Sequence, residues 1–173
     1  MTIFAIDPGP EKSAVVWFNP IEFKYLRGYI ANNREVLTLL KAAEEIPIIA
    51  CEWITSYGIA VGESVFETCY WVGKFDEAVQ PRKFLRIPRA DIKIELCHSA
   101  RAKDPNIRQV LIDMFPKTGG GKTPQIGVKK QPGPLYGISS HMWSALAVAV
   151  VATKGEKWSI LTPGSSTRNG STT

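Results

Sequence analysis

The stretch Ile3–Val16 reads IFAIDPGPEKSAVV. Apolar residues climb to a single carboxylate, Asp7. The chain then turns through Pro8, Gly9 and Pro10 and resumes as an apolar run from Ala14 to Phe18. A continuous apolar run bounded by Gly and Pro reads as a buried central strand rather than a helix. A carboxylate at the end of such a strand is costly to desolvate without a partner. Asp7 therefore either hydrogen-bonds its own turn or belongs to a site whose other members lie further along. Two residues suit that second role: a second apolar run, Ile48-Ile49-Ala50-Cys51, ends at Glu52, and His141 lies at the head of the last helical segment.

The order of elements brings the two carboxylates together. Ser13–Phe18 and Lys24–Ile30 read as strands joined around Asn19-Pro20. Asn32 opens a helix with Glu35 three residues on, the pattern of a capping box. Val36, Leu39, Leu40 and Ala43 give that helix one buried face. Pro47 restarts the chain as the strand that ends at Glu52. Strand, helix and strand in this order predict a parallel crossover pairing with the first strand. Asp7 and Glu52 then stand side by side at the carboxyl edge, where open α/β sheets place their ligands.

Gly62–Ala78 predicts a long helix with apolar residues on more than one side, among them Phe66, Tyr70, Trp71, Val72 and Phe75. One face can cover the sheet. The rest serves a small second core or, the preferred reading, a subunit interface. A short strand near Phe84–Ile87 and two helices follow. The second of these starts at Asp104-Pro105, with Pro at its first position, and buries Ile107, Val110, Leu111 and Met114. Lys117–Tyr136 is rich in Gly, Pro and Lys without helical or strand period, and predicts a mobile basic loop. The run Gly119–Thr123, GGGKT, is not a phosphate-binding P-loop: Pro116 occupies the first glycine position and no apolar strand precedes it. The closing helix runs from near Ser139 to Ala152 and packs through Trp143, Leu146, Ala147 and Val150.

A chain of 173 residues is long enough for one domain with a real core. The domain is assigned to 1–155, with 156–173 as a tail that turns low-complexity at Thr162 and is expected to be partly disordered. No apolar run approaches the ~20 residues of a membrane span, and the N-terminus has no basic flank with a long apolar core. A soluble, intracellular protein without a membrane partner is expected. Cys51, Cys69 and Cys97 form no CxxC pair and read as buried free thiols. Charge is unevenly spread. Between Pro81 and Lys130 twelve basic residues face four acidic ones, so that segment carries +8 of a total of +5 and the rest −3. An excess this one-sided favours a polyanion, nucleic acid first. Arg101, Lys103, Arg108, Lys122, Lys129 and Lys130 are the candidate contacts.

Taken together, FAIDPG, ACEWITSYGIAVGESVFET, CHSARAKDPNIRQVLIDMF and KKQPGPLYGISSHMWSALAVAVVA resemble the RuvC family of Holliday junction resolvases, closest to phage-encoded members. The resemblance implies an α/β, RNase H-like fold, a mixed five-stranded sheet flanked by helices. It also implies a homodimer that binds branched DNA, four-way junctions above all, and cleaves phosphodiester bonds as a metal-dependent endonuclease. The cofactor would be Mg²⁺, with Mn²⁺ possible, and the setting cytoplasmic, the host's cytoplasm for a phage-encoded protein. On this resemblance Asp7 and Glu52 match the first two acids, and His141 the acid or histidine at the head of the last helix. These three would be metal ligands, His141 alternatively the base that takes a proton from water. The family's final acid falls at Ser144, a departure that leaves a weak neutral oxygen in the catalytic set. Lys103 corresponds to the family's DNA-contacting lysine. Away from that pattern, His98 reads as an ordinary helix-capping or packed histidine. Two rivals share features. An actin-like or sugar-kinase ATPase would need a second glycine-rich domain that this chain is too short to hold. A junction-binding protein that has lost catalysis through Ser144 keeps the fold and the basic surface.

Overall fold

The computed structural model describes residues 1–55, 58 and 60–154. The predicted tail therefore lies outside the described residues. Five strands, β1 (Ile3–Asp7), β2 (Lys12–Asn19), β3 (Lys24–Asn32), β4 (Ile48–Trp53) and β5 (Lys83–Pro88), form one sheet in the order β3-β2-β1-β4-β5. β1 runs antiparallel to β2 and parallel to β4, and β5 is parallel to β4. The helices are α1 (Asn33–Ala42), α2 (Glu63–Val79), α3 (Arg89–Cys97), α4 (Asp104–Asp113) and α5 (Met142–Ala152).

Strand alternation divides the core in two. Ile3, Ala5, Ala14, Val16, Ala50, Leu85 and Ile87 face α3, α4 and α5. Phe4, Ile6, Val15, Trp17, Ile49 and Cys51 face α1 and α2. The central strands are thus covered on both faces, which is why they read as unbroken apolar runs. α5 lies across β1 and β2 and is buried from Met142 to Ala152 at every residue except Ser144. A helix apolar all round must be enclosed, and its alanines let it approach the sheet closely.

The turn after β1 is fixed from α1. Asn33, fully buried, donates from Nδ2 to Gly9 O at 2.9 Å and accepts from Ser13 Oγ at 2.7 Å, while its N–H bonds Glu11 O. A Cβ at Gly9 would come within 2.5 Å of Lys12 O, so the turn admits only glycine there. The expected capping box at Asn32 is not what starts α1. Asn32 is the N-cap in extended conformation, but its side chain makes no cap bond and only approaches Glu35 at 3.5 Å.

The predicted mobile loop is a built hairpin. Its two-residue strands β6 (Gly127–Val128) and β7 (Gln131–Pro132) pair antiparallel, with Lys129 and Lys130 at the turn. Gly127, at φ +76°, lies so close to Gly133 that a Cβ would meet its nitrogen at 2.1 Å, and Gln125 and Leu135 are buried beneath. The glycine run belongs to this packing. Gly119 N–H donates to Pro124 O and Gly120 N–H to Gln131 O, so neither is free to cradle a phosphate. Three smaller expectations change. Met114 is 44% exposed, its place in the α4 stripe taken by Ile112 with Phe115 just beyond. Cys69 is exposed and Cys97 half-buried, leaving Cys51 as the one buried thiol. α2 buries Thr68, Val72, Phe75 and Val79 and leaves Phe66 and Tyr70 exposed.

Candidate active site

Asp7 ends β1 and Glu52 lies near the end of β4. Because Ile6 pairs with Cys51 in parallel register, the two carboxylates come next to each other at one sheet edge. Asp7 continues the parity of Ile3 and Ala5, and Glu52 that of Ala50, so both point to the α5 side. Their side chains are 13% and 17% exposed. Burial raises the pKa of Asp7 from its ordinary value, against the pull of His141 and Arg89. Burial raises Glu52 to about 7, opposed by Arg89 and reinforced by Asp7. Both acids thus sit where more positive charge would be welcome.

His141 reaches this edge from the start of α5. Gly137 at φ +85° and Ser140 at φ +46° turn the chain into the helix. A serine in that region costs roughly 1–3 kcal/mol, borne here immediately before His141. His141 Nδ1 lies 3.1 Å from Asp7 Oδ2, and the ring is 74% exposed. The partner of the Asp7 side chain is this histidine, not its own turn. With Nδ1–H donating, Nε2 carries the lone pair.

His141 borders two hollows. One, of 520 Å³, is lined by Asp7, Gly9, Lys12, Ser64, Thr68 and His141. The other, of 330 Å³, is lined by Asp104, Arg108, Ser140, His141, Trp143 and Ser144. Ser144 therefore sits with His141 but in the hollow that Asp7 does not line. Arg108 is laid over the Trp143 ring with its guanidinium 4.8 Å from the centroid, which fixes a cation beside that hollow.

Two neighbours went unrecognised in the sequence. Arg89, the first residue of α3, donates from Nη1 to Glu52 Oε2 at 2.8 Å and from Nη2 to Asp104 Oδ1. Burial works against its charge, but Glu52 and Asp104 outweigh that and raise its pKa. Asp104 opens α4. The available signal was parity: Leu85 and Ile87 face the α5 side, so the next residue in that alternation at the strand edge is Arg89. The other predicted DNA contacts, Arg101, Lys103, Lys122, Lys129 and Lys130, are all exposed, two before α4 and three on the hairpin segment. Arg82 and Arg86 serve the fold instead: Arg82 donates to the carbonyls of Leu40 and Ala43 at the end of α1, and Arg86 pairs with Asp76 on α2.

The donor set can be weighed against a divalent cation on its chemistry. Among the described residues no three His, Cys, Asp or Glu side chains converge into a cage. Two hard carboxylates at one edge do fit Mg²⁺, which keeps several waters and needs only one or two protein carboxylates.

No family model and no curated protein sequence matches the chain. Solved structures do. The chain is similar to Thermus thermophilus RuvC, with a TM-score of 0.62 and 15% identity over 92% of this chain and 98% of that one. It is also similar to T. thermophilus RuvC in complex with a Holliday junction substrate, with a TM-score of 0.59 and 15% identity over 87% and 91%. The mixed five-stranded sheet with its helices is thus a RuvC-like, RNase H-like fold.

Proposed function

We propose that the chain is a structure-selective endodeoxyribonuclease that binds branched DNA, four-way junctions in particular, and hydrolyses phosphodiester bonds with a divalent cation. The observation that carries this is the pair of half-buried carboxylates at the sheet edge, Asp7 and Glu52, with His141 bonded to the first, on a fold shared with a protein solved on a Holliday junction. Asp7 and Glu52 would hold the cation, Mg²⁺ or Mn²⁺. A bound cation would supply Lewis acidity to activate a water and to stabilise the leaving oxygen. His141, oriented through Nδ1 by Asp7, offers Nε2 to take the proton of the attacking water. Arg108, held over Trp143, and the exposed Arg101, Lys103, Lys122, Lys129 and Lys130 supply phosphate contacts that position DNA without reading its sequence.

A homodimer through the exposed side of α2 belongs to the same reading, since a four-way junction presents two equivalent strands that two symmetric sites would match. So does a phage origin, with the host cytoplasm as the place of action. Ser144 and the ion pairs of Arg89 favour a second reading, a junction-binding protein of weakened catalysis. One experiment separates the two: cleavage of a synthetic four-way junction in Mg²⁺ or Mn²⁺, beside binding measured without metal. Asp7→Asn should abolish cleavage and leave binding equal or tighter, since it removes negative charge near the phosphate. Binding without cleavage by the unaltered protein would establish the second reading. Cleavage by Asp7→Asn at the unaltered rate would refute the site.

A further inference from the structure

Arg89 stands between two carboxylates rather than beside one. A guanidinium is a planar fork that can match both oxygens of a single carboxylate. Arg89 is instead divided, one arm on Glu52 at 2.8 Å and the other on Asp104. The two ends differ in setting. Glu52 is 17% exposed, whereas Asp104 is 77% exposed. The outer pair stands in water, where such a contact is weak and readily remade. The inner pair is partly desolvated, and Arg89 can leave it without stranding a charge only if another cation, or a proton on Glu52, takes its place. Arg89 follows Pro88, the last residue of the strand paired with β4, so its backbone is held and any displacement is one of side-chain torsions.

We propose that Arg89 is the resident counter-ion of Glu52, that a divalent cation must displace it, and that Asp104 is the outer anchor that keeps the guanidinium when it leaves. This rests on the reading of Asp7 and Glu52 as cation ligands. Arg89 cannot yield by losing its proton, because a guanidinium stays charged in proteins. Two cations at one carboxylate in a partly desolvated edge repel, so Arg89 yields by moving. Asp104 makes that movement easier by giving the departing charge a partner. Two substitutions should then act in opposite directions. Arg89→Gln removes the competitor and tightens cation binding. Asp104→Asn removes the anchor, leaves Arg89 to Glu52 alone, and weakens it.

The test uses the full chain without DNA, titrated with Mn²⁺ while free Mn²⁺ is read by electron paramagnetic resonance, with Asp7→Asn as the background. If Arg89 holds Glu52 about nine-tenths of the time, Arg89→Gln should lower the Mn²⁺ Kd about tenfold, and Asp104→Asn should raise it. The rise in melting temperature on adding Mn²⁺ should be larger in Arg89→Gln and smaller in Asp104→Asn than in the unaltered protein. Equal or weaker Mn²⁺ binding by Arg89→Gln, with Asp7-dependent binding intact in the unaltered protein, would overturn the proposal and leave Arg89 a positioning residue. Should Arg89→Gln not fold, Asp104→Asn decides alone: weaker binding supports the proposal, and equal or tighter binding overturns it. If no Mn²⁺ binding is lost in Asp7→Asn, the cation reading itself fails.

Discussion

Glu52→Gln should make the protein more stable at alkaline pH and leave it unchanged in acid. Glu52 titrates near 4.5 in the unfolded chain, and burial pushes it to about 7 in the fold, even with Arg89 beside it. Between those two values the folded protein holds a proton that the unfolded chain releases. Stability is therefore greatest below the lower value, falls as pH rises through the window, and levels off above the upper one. A gap of this size corresponds to roughly 3 kcal/mol, at about 1.4 kcal/mol per unit. Glutamine mimics the protonated form and can still accept the Arg89 bond, so it escapes that cost. At about pH 8, in the absence of divalent cations, the melting temperature should rise by roughly 6–12 °C for a domain of this size. At about pH 4.5 the two melts should coincide. Asp7 is raised in the same direction, so some pH dependence should persist in the variant. Coincident melts at pH 8, or a less stable glutamine variant, would mean that the Glu52–Arg89 ion pair outweighs the burial of Glu52, and the electrostatic account of the site would be wrong.

Replacing Lys103, Lys129 and Lys130 together with Ala should weaken junction binding for all sequences and reduce the log–log salt slope by close to one unit per lost phosphate contact; an unchanged slope would turn this face away from DNA. Phe66→Asp with Tyr70→Asp, both exposed on α2, should convert a dimer to a monomer in sedimentation without lowering the melting temperature of the monomer. A protein that already sediments as a monomer at micromolar concentration would remove the dimer from the proposal. Ser144→Asp should lower the Mg²⁺ concentration at half-maximal cleavage, and superimposable titrations would put residue 144 beyond the cation's reach.

The sheet was readable because its centre is covered on both faces. Burial on two sides demands the continuous apolar runs Ile3–Ile6 and Ile48–Cys51, and a charged residue can follow such a run only at the edge. The adjacency of Asp7 and Glu52 then follows from the parallel pairing of β1 with β4. Arg89 obeys no such local rule. Its partners lie 37 and 15 residues away in the chain, and in sequence it is one cation among twelve in a basic segment. The hairpin was hidden for a different reason. Two-residue strands are too short to show a period, and Gly119, Gly127 and Gly133 pack through their backbones, which leaves no apolar pattern to read. Cys69 falls on the open face of α2, where helical spacing cannot tell which side is covered, and Met114 caps α4 beyond its last turn, where the helical stripe has ended.

Ser144 takes on a different meaning once His141 is seen to divide two hollows. Sequence spacing puts positions 141 and 144 on one helix face, one turn apart, which suggests that both serve the same carboxylates. The histidine does meet Asp7, but Ser144 opens toward Asp104 and Arg108. Serine there removes a charge from the hollow that already holds a carboxylate on α4 and a guanidinium stacked on Trp143. An aspartate at 144 would add a second carboxylate to the hollow that Asp104 and Arg108 line. On the proposed reading, the Asp7–Glu52 pair is therefore complete without residue 144, and what serine alters is the balance of charge on the far side of His141. The response of cleavage to Mg²⁺ would show that as a shift in the concentration required, not as a loss of the reaction.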